Sequence, residues 1–177
     1  HSSRVIVINN GVRMEDQDWG IEHAPNIDIN SIENLKLIKG AGLLEFGGSA
    51  LGGIIIVEPL KIDLKDSIYG KTILSASTNG RGSTVSSKLT KTYTNGWYAS
   101  AQKSYKYYGD FNTANFILSN TGTREKNASF RIGFNNFRHG LELYYSNFNN
   151  ETGILRASHV HSAQDIIRAI NSSKPLI

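Results

Sequence analysis

Two histidines flank a valine late in the chain, His159-Val160-His161, and a third, His23, stands beside Glu22 and close to Asp18 and Trp19. In an extended backbone residues i and i+2 share a face, so His159 and His161 would present both rings together. Neutral imidazoles joined by a carboxylate bind zinc, copper or iron. Two histidines are half of such a site, and ordinary polar loop histidines fit the same residues. The other candidate is Leu37 to Pro59, "LIKGAGLLEFGGSALGGIIIVEP", which holds six glycines: Gly40, Gly42, Gly47, Gly48, Gly52 and Gly53. A phosphate loop needs G-x-x-x-x-G-K-[S/T], with the lysine reaching the phosphates. Gly42 to Gly47 has the spacing, but Gly48-Ser49 follows and supplies no lysine. A dinucleotide fingerprint needs G-x-G-x-x-G between a strand and a helix. Here Gly40-Ala41-Gly42 runs on through Leu43-Leu44-Glu45 toward a strand. Neither G-x-S-x-G nor H-E-x-x-H occurs. The residues therefore predict no enzyme, no catalytic set and no cofactor.

Composition narrows the rest. The 177 residues leave room for one domain or one and a half. A 39% hydrophobic content with three prolines is too apolar for a disordered chain. Cysteine is absent, which removes disulfides and thiolate metal sites. The net charge is +4, yet Lys and Arg are scattered, without the basic stripe a nucleic-acid surface needs. No window approaches the roughly 18 apolar residues of a membrane-spanning helix. Membrane-crossing β-strands need only about 9–11 alternating residues, so they stay open.

Two textures follow one another. Val5–Ile8 reads as a buried strand ended by the turn Asn9-Asn10-Gly11. Residues 12–30 are polar and irregular, a further strand runs from Asn34 after Ser31-Ile32-Glu33, and Ile54–Val57 is a short buried one. Beyond about residue 70 the period is two. Val85, Leu89 and Tyr93 share one face, against Thr84, Ser86, Lys88, Thr90 and Thr92 on the other. Ala128, Phe130, Ile132 and Phe134 repeat the pattern, and so do Leu141, Leu143 and Tyr145. Lys103 interrupts the face of Trp97, Ala99 and Ala101. The pattern predicts antiparallel strands at 71–78, 83–93, 97–108, 127–136 and 138–149, with tight turns at 94–96 and 136–139. Aromatics gather at strand ends: Tyr93, Trp97, Tyr105, Tyr107, Tyr108, Tyr144 and Tyr145. A transmembrane barrel and a soluble β-sandwich both satisfy this alternation. Ser162 to Asp165 resembles a capping box and predicts a short helix after it.

The glycine-rich stretch also carries a resemblance. "SIENLKLIKGAGLLEFGGSALGGIIIVEP" closely resembles the end of the plug domain of TonB-dependent outer-membrane receptors, where a strand of the type "IERIEVLKGP" precedes "LYGSGAIGGVINI". Ile32-Glu33 and Leu35 to Gly40 match the first block; Phe46-Gly47, Ser49-Ala50 and Gly52-Gly53-Ile54 match the second. "RVIVINNGVR", Arg4 to Arg13, is similar to an upstream strand and turn of the type "vlvDGvr". Ala41 stands where the family usually has Pro, Asn10 where it has Asp, and Glu58-Pro59 replaces the usual exit. The phrases "EDQDWGIEHAPNID" and "GILRASHVHSAQDI" resemble a branch common among Bacteroidetes-type receptors.

The resemblance implies a β-rich fragment: an α+β plug followed by the start of an antiparallel transmembrane β-barrel of about 22 strands. Residues 1–64 would be the later plug and 65–177 about five barrel strands with extracellular loops. The glycines named above would be the plug's structural motif. Turns 94–96 and 136–139 would lie on the periplasmic side, and 79–82, 109–126 and 150–177 outside. The implied function is energised uptake of a scarce nutrient (siderophore, metal complex, vitamin, glycan or peptide) at the outer membrane of a Gram-negative cell. Implied partners are outer-membrane lipid, the nutrient, and a TonB system acting through a plug segment missing here; a surface lipoprotein lid is compatible with this. Asp18, Trp19, Glu22 and His23 would form the plug apex facing substrate, with His159 and His161 above it. Two other readings stay open, a soluble β-rich binding or adhesin module and a metal-binding periplasmic protein.

Overall fold

A computed structural model describes residues 5–14, 27–46, 52–58, 62–63, 65–136, 138–155 and 162–171. The first part of the chain builds a four-stranded sheet. Strands β1 (Val5–Asn9) and β2 (Val12–Met14) form a hairpin closed by Asn10 and Gly11, at φ 49° and 78°. Left-handed φ at both central residues matches the twist of the flanking strands. Strands β3 (Asn34–Ile38) and β4 (Gly53–Glu58) complete the order β2-β1-β4-β3. The central pair, β1 and β4, is parallel, with Ile6 opposite Ile54. Ile54 is fully buried, and Ile8, Ile38, Leu43, Phe46 and Ile56 pack around this pair. A parallel pair covered on both faces calls for the unbroken apolar run that Ile54–Val57 supplies.

The glycine-rich connection from β3 to β4 opens with a 3-10 run, Gly40–Phe46. Gly40 has φ 68° and Gly53 φ 136°, conformations that side-chain-bearing residues rarely adopt. The apolar residues between the glycines divide: Leu43 and Phe46 pack on the core, whereas Leu44 is 82% exposed. Residues 12–30 are less irregular than expected, because β2 pairs with β1 and a short 3-10 turn occupies Ile29–Ser31.

The remainder is a five-stranded antiparallel meander of β5 (Ser67–Ser77), β6 (Gly82–Thr92), β7 (Trp97–Tyr108), β10 (Thr123–Asn135) and β11 (Gly140–Thr152). A two-residue-per-strand hairpin, β8 (Phe111–Asn112) with β9 (Ile117–Leu118), lies in the connection from β7 to β10. Helix α1 spans Ala163–Asn171, where the capping pattern predicted one. The strands run past their hydrophobic segments. β5 starts before the expected boundary, β10 extends back through Thr123–Lys126, and β11 continues to Thr152. Cross-strand partners explain the polar extension of β10: Lys106 bonds Glu125 at 2.7 Å, and the Arg124 guanidinium lies over the Tyr107 ring.

The meander sorts its connections. Thr78–Arg81, the β7–β10 link and the segment after β11 meet at one end, where Gly109 N–H donates to Gly80 C=O and Gly153 N–H to Gly122 C=O. The turns 93–96 and 136–139 lie at the other end, where Asn135 N–H donates to Gly96 C=O. The sheet is open, with β5 and β11 as its edges, so no barrel is closed within the described residues.

Candidate functional site

Alternation gives each strand two faces, and the register places them consistently across the meander. Ser86, Ser104 and Asn127 line up on one face, as do Thr90, Ser100 and Arg131. Leu89, Ala101, Phe130 and Tyr145 line up on the other. The polar face is the covered one: Thr90, Thr92, Ser86 and Ser104 are all buried. The apolar face is open, with Leu74 73%, Leu143 67% and Leu89 55% exposed. This inverts the arrangement of a water-soluble sheet, whose apolar face turns to the core.

Side chains of the small sheet and its connections cover the polar face, through hydrogen-bonded contacts. Asp28 caps the 3-10 turn by accepting from the Asn30 N–H, and its other oxygen accepts from Ser104 Oγ at 2.5 Å and Gln102 Nε2 at 3.2 Å. Glu33 bonds Lys88 Nζ at 2.9 Å, both side chains mostly shielded from solvent. Arg131 Nη2 donates to Asn10 Oδ1 at 2.6 Å, while Nη1 donates to both carboxylate oxygens of Glu142, at 2.8 and 3.0 Å. The same guanidinium lies over the Tyr144 ring at 4.8 Å, and Tyr98 OH donates to Glu142. Tyr98 fits there because it lies across Gly133, where an added Cβ would fall 2.4 Å from its ring.

Two small cavities of mixed lining lie along this seam. One, of about 40 Å³, is lined by Lys88, Arg131 and Glu58; the other, of about 30 Å³, by Asp28, Asn127 and Ser146. Both share Asn9, Gln102 and Ser129. The buried Asn127 Oδ1 has no protein partner among the described residues and faces a cavity with room for a water, which would satisfy it. At the end of the sheet that carries the long connections, a wide open basin of about 720 Å³ lies between Arg81 and the β8–β9 hairpin, bordered by Asn112, Thr113 and Phe116. The arrangement offers polar hydrogen-bonding surfaces. Among the described residues no group of three or more His, Cys, Asp or Glu is placed to hold a metal ion.

Asp18, Trp19, Glu22, His23, His159 and His161 lie outside the described residues, as do Gly47 and Gly48. Gly40 and Gly42 fall in the 3-10 run, Gly52 in the turn before β4 and Gly53 at its start. Two of the aromatics at strand ends, Tyr108 and Tyr144, face the polar side of the sheet. Their register partners Thr123 and Arg131 are polar-face residues, and Tyr108 OH lies 3.4 Å from Thr84 Oγ1. Sequence reasoning missed Asp28, Arg131 and Glu142. For Arg131 and Glu142 the available signal was their position on the polar parity of strands whose other parity is apolar; Asp28, at the cap of a 3-10 turn, carried no such signal. No helix among the described residues is long and apolar enough to cross a membrane, which leaves strands out of account. No family model matches the chain, and no match among curated proteins was found.

Proposed function

We propose that this chain is a piece of a TonB-dependent outer-membrane receptor, in which the small sheet is the later plug and the meander is the first part of a transmembrane β-barrel wall. The observation that carries the reading is the inverted sheet: a buried hydrogen-bonding face against the small domain and an exposed apolar face on the far side. Water penalises an exposed apolar sheet face of this extent, and lipid favours it. The dimensions suit a bilayer. On the exposed face Trp97 and Tyr105 are separated by about 26 Å of strand, at roughly 3.3 Å per residue. A strand tilt of about 35–45° projects this to about 20 Å, which lies within the apolar band of about 25 Å between aromatic girdles. Trp97 packs on Phe134, ring centroids 5.4 Å apart, at the short-turn end.

In this reading the short turns lie in the periplasm and the long connections outside. The basin beside Arg81 and Phe116 and the plug apex around Asp18, Trp19, Glu22 and His23 would then meet the nutrient. Binding there would precede plug displacement driven by the TonB system. The polar seam suits a plug that must move. Its contacts are hydrogen bonds and ion pairs that water can replace, whereas an apolar interface would stay fused.

The cysteine-free chain permits a direct test. Single cysteines would be placed at Leu89 and Leu143 on the exposed face, and at Asn115 in a connection, within the intact protein as the cell makes it. Membrane-impermeant maleimide is expected to label Asn115→Cys, and to reach the other two only after the membrane is dissolved in denaturing detergent. Equal labelling of all three in intact membranes, or recovery of the protein in the soluble fraction, would remove this reading in favour of a soluble β-rich binding module.

A further inference from the structure

The exposed face of the meander is uniform in neither chemistry nor charge. Near the short-turn end its cross-strand rows are Trp97–Phe134–Leu141 and Ala99–Ile132–Leu143. Toward the long-connection end the rows become Lys103–Ala128–Asn147, Tyr105–Lys126–Asn149 and Tyr107–Arg124–Glu151. Lys103, Lys126 and Arg124 are all exposed on that face. Lys126 is two residues from Arg124 on one strand and diagonal to Lys103 on the next, so neighbouring Cα atoms lie about 7–8 Å apart. Arg124 is held over the Tyr107 ring at 5.7 Å, which leaves its edge free to donate. Glu151 is the one acidic side chain on these rows among the described residues, so three cations face one carboxylate. By contrast Lys91, the cation on the apolar rows, is already paired with Asp66.

The geometry points to a binding site for the phosphate of an anionic lipid headgroup at Lys103, Arg124 and Lys126. The inference rests on the membrane reading above and specifies which lipid the wall selects. Acyl chains would lie along Ala101, Phe130 and Leu89, and Lys103 would extend its apolar stem along them while its ammonium reaches the headgroup level. Arg124 supplies a planar fork suited to phosphate oxygens, and the two lysines supply mobile point charges beside it. Tyr105 and Tyr107 stand at the boundary where amphipathic rings are favoured.

Native mass spectrometry of the intact protein in detergent micelles tests the site, with phosphatidylglycerol and phosphatidylcholine of identical acyl chains as probes. Retention of phosphatidylglycerol is expected to exceed that of phosphatidylcholine. The triple variant K103Q/R124Q/K126Q should weaken phosphatidylglycerol binding by at least tenfold and leave phosphatidylcholine unchanged; each basic group near a lipid surface contributes roughly a fivefold effect. The charge-preserving variant K103R/R124K/K126R should keep most of the preference, which separates lost charge from disturbed folding. Unchanged phosphatidylglycerol retention in the glutamine variant would overturn the site while leaving the membrane reading intact. Failure to bind either lipid, together with maleimide labelling of Leu89→Cys in intact membranes, would overturn both.

Discussion

The two sheets of this protein obey opposite rules. The small sheet hides its isoleucines: Ile6 and Ile54 face each other across a parallel pair and are shut off from solvent. The meander hides Thr84, Ser86, Thr90, Thr92, Ser100 and Ser104 and presents Leu74, Leu89 and Leu143 outward. Both are built from the same strand geometry, so the difference lies in what each face meets. The small sheet is stabilised by the transfer of apolar surface out of water, about 25 cal/mol per Å². The covered face of the meander gains little from that source and depends on satisfying its polar groups, as Thr90 does by donating to Ser100 at 3.1 Å. A sheet of this second kind is stable when its open face meets a medium other than water.

Three experiments sharpen the contrast. Ile54→Ala should have the largest effect, about 2–5 kcal/mol, because it opens a cavity in the apolar core of the small sheet. Chemical denaturation of the intact protein in detergent would measure it, and a loss below about 0.5 kcal/mol would mean that the small sheet is not held by its apolar centre. Leu89→Arg comes next. On a lipid-facing wall it costs about 2–4 kcal/mol near the bilayer midplane and should sharply reduce membrane-inserted protein. On a face open to water the same exchange would be close to neutral, so normal insertion of the variant erases the contrast between the sheets. The smallest effect concerns the seam. A double-mutant cycle on Glu33→Gln and Lys88→Met should give a coupling of about 0.5–1 kcal/mol, near the upper range for exposed pairs because both partners are mostly shielded. A coupling indistinguishable from zero would show that this ion pair does not hold the small sheet against the wall.

Much of the local structure was legible. Asn10-Gly11 and Asn95-Gly96 announce turns because their residues accept left-handed backbone at little cost, and the Ile54–Val57 run announces a strand buried on both faces. Strand ends were less legible. Thr123 to Lys126 carry no hydrophobic signal, and they join β10 because Tyr105–Tyr108 of the adjacent strand supply backbone and side-chain partners. The seam was legible only as parity. Arg131 and Asn10 are 121 residues apart, and nothing local in either segment indicates that they meet. The histidines that first suggested chemistry, His23, His159 and His161, lie outside the described residues, as do their neighbours Asp18, Trp19 and Glu22.

By itself the sequence determined where strands alternate, where they turn, and which residues share a face, since period and turn chemistry are properties of neighbouring residues. It could not determine which face would be covered, because alternation is the same pattern read from either side. The tertiary structure decided that. Asp28, Glu33 and Asn10 of the small domain reach the polar face with matched donors and acceptors, and the apolar face is left outward. Covering a face requires contacts between distant segments, and the free energy of those contacts has no local signature in the chain.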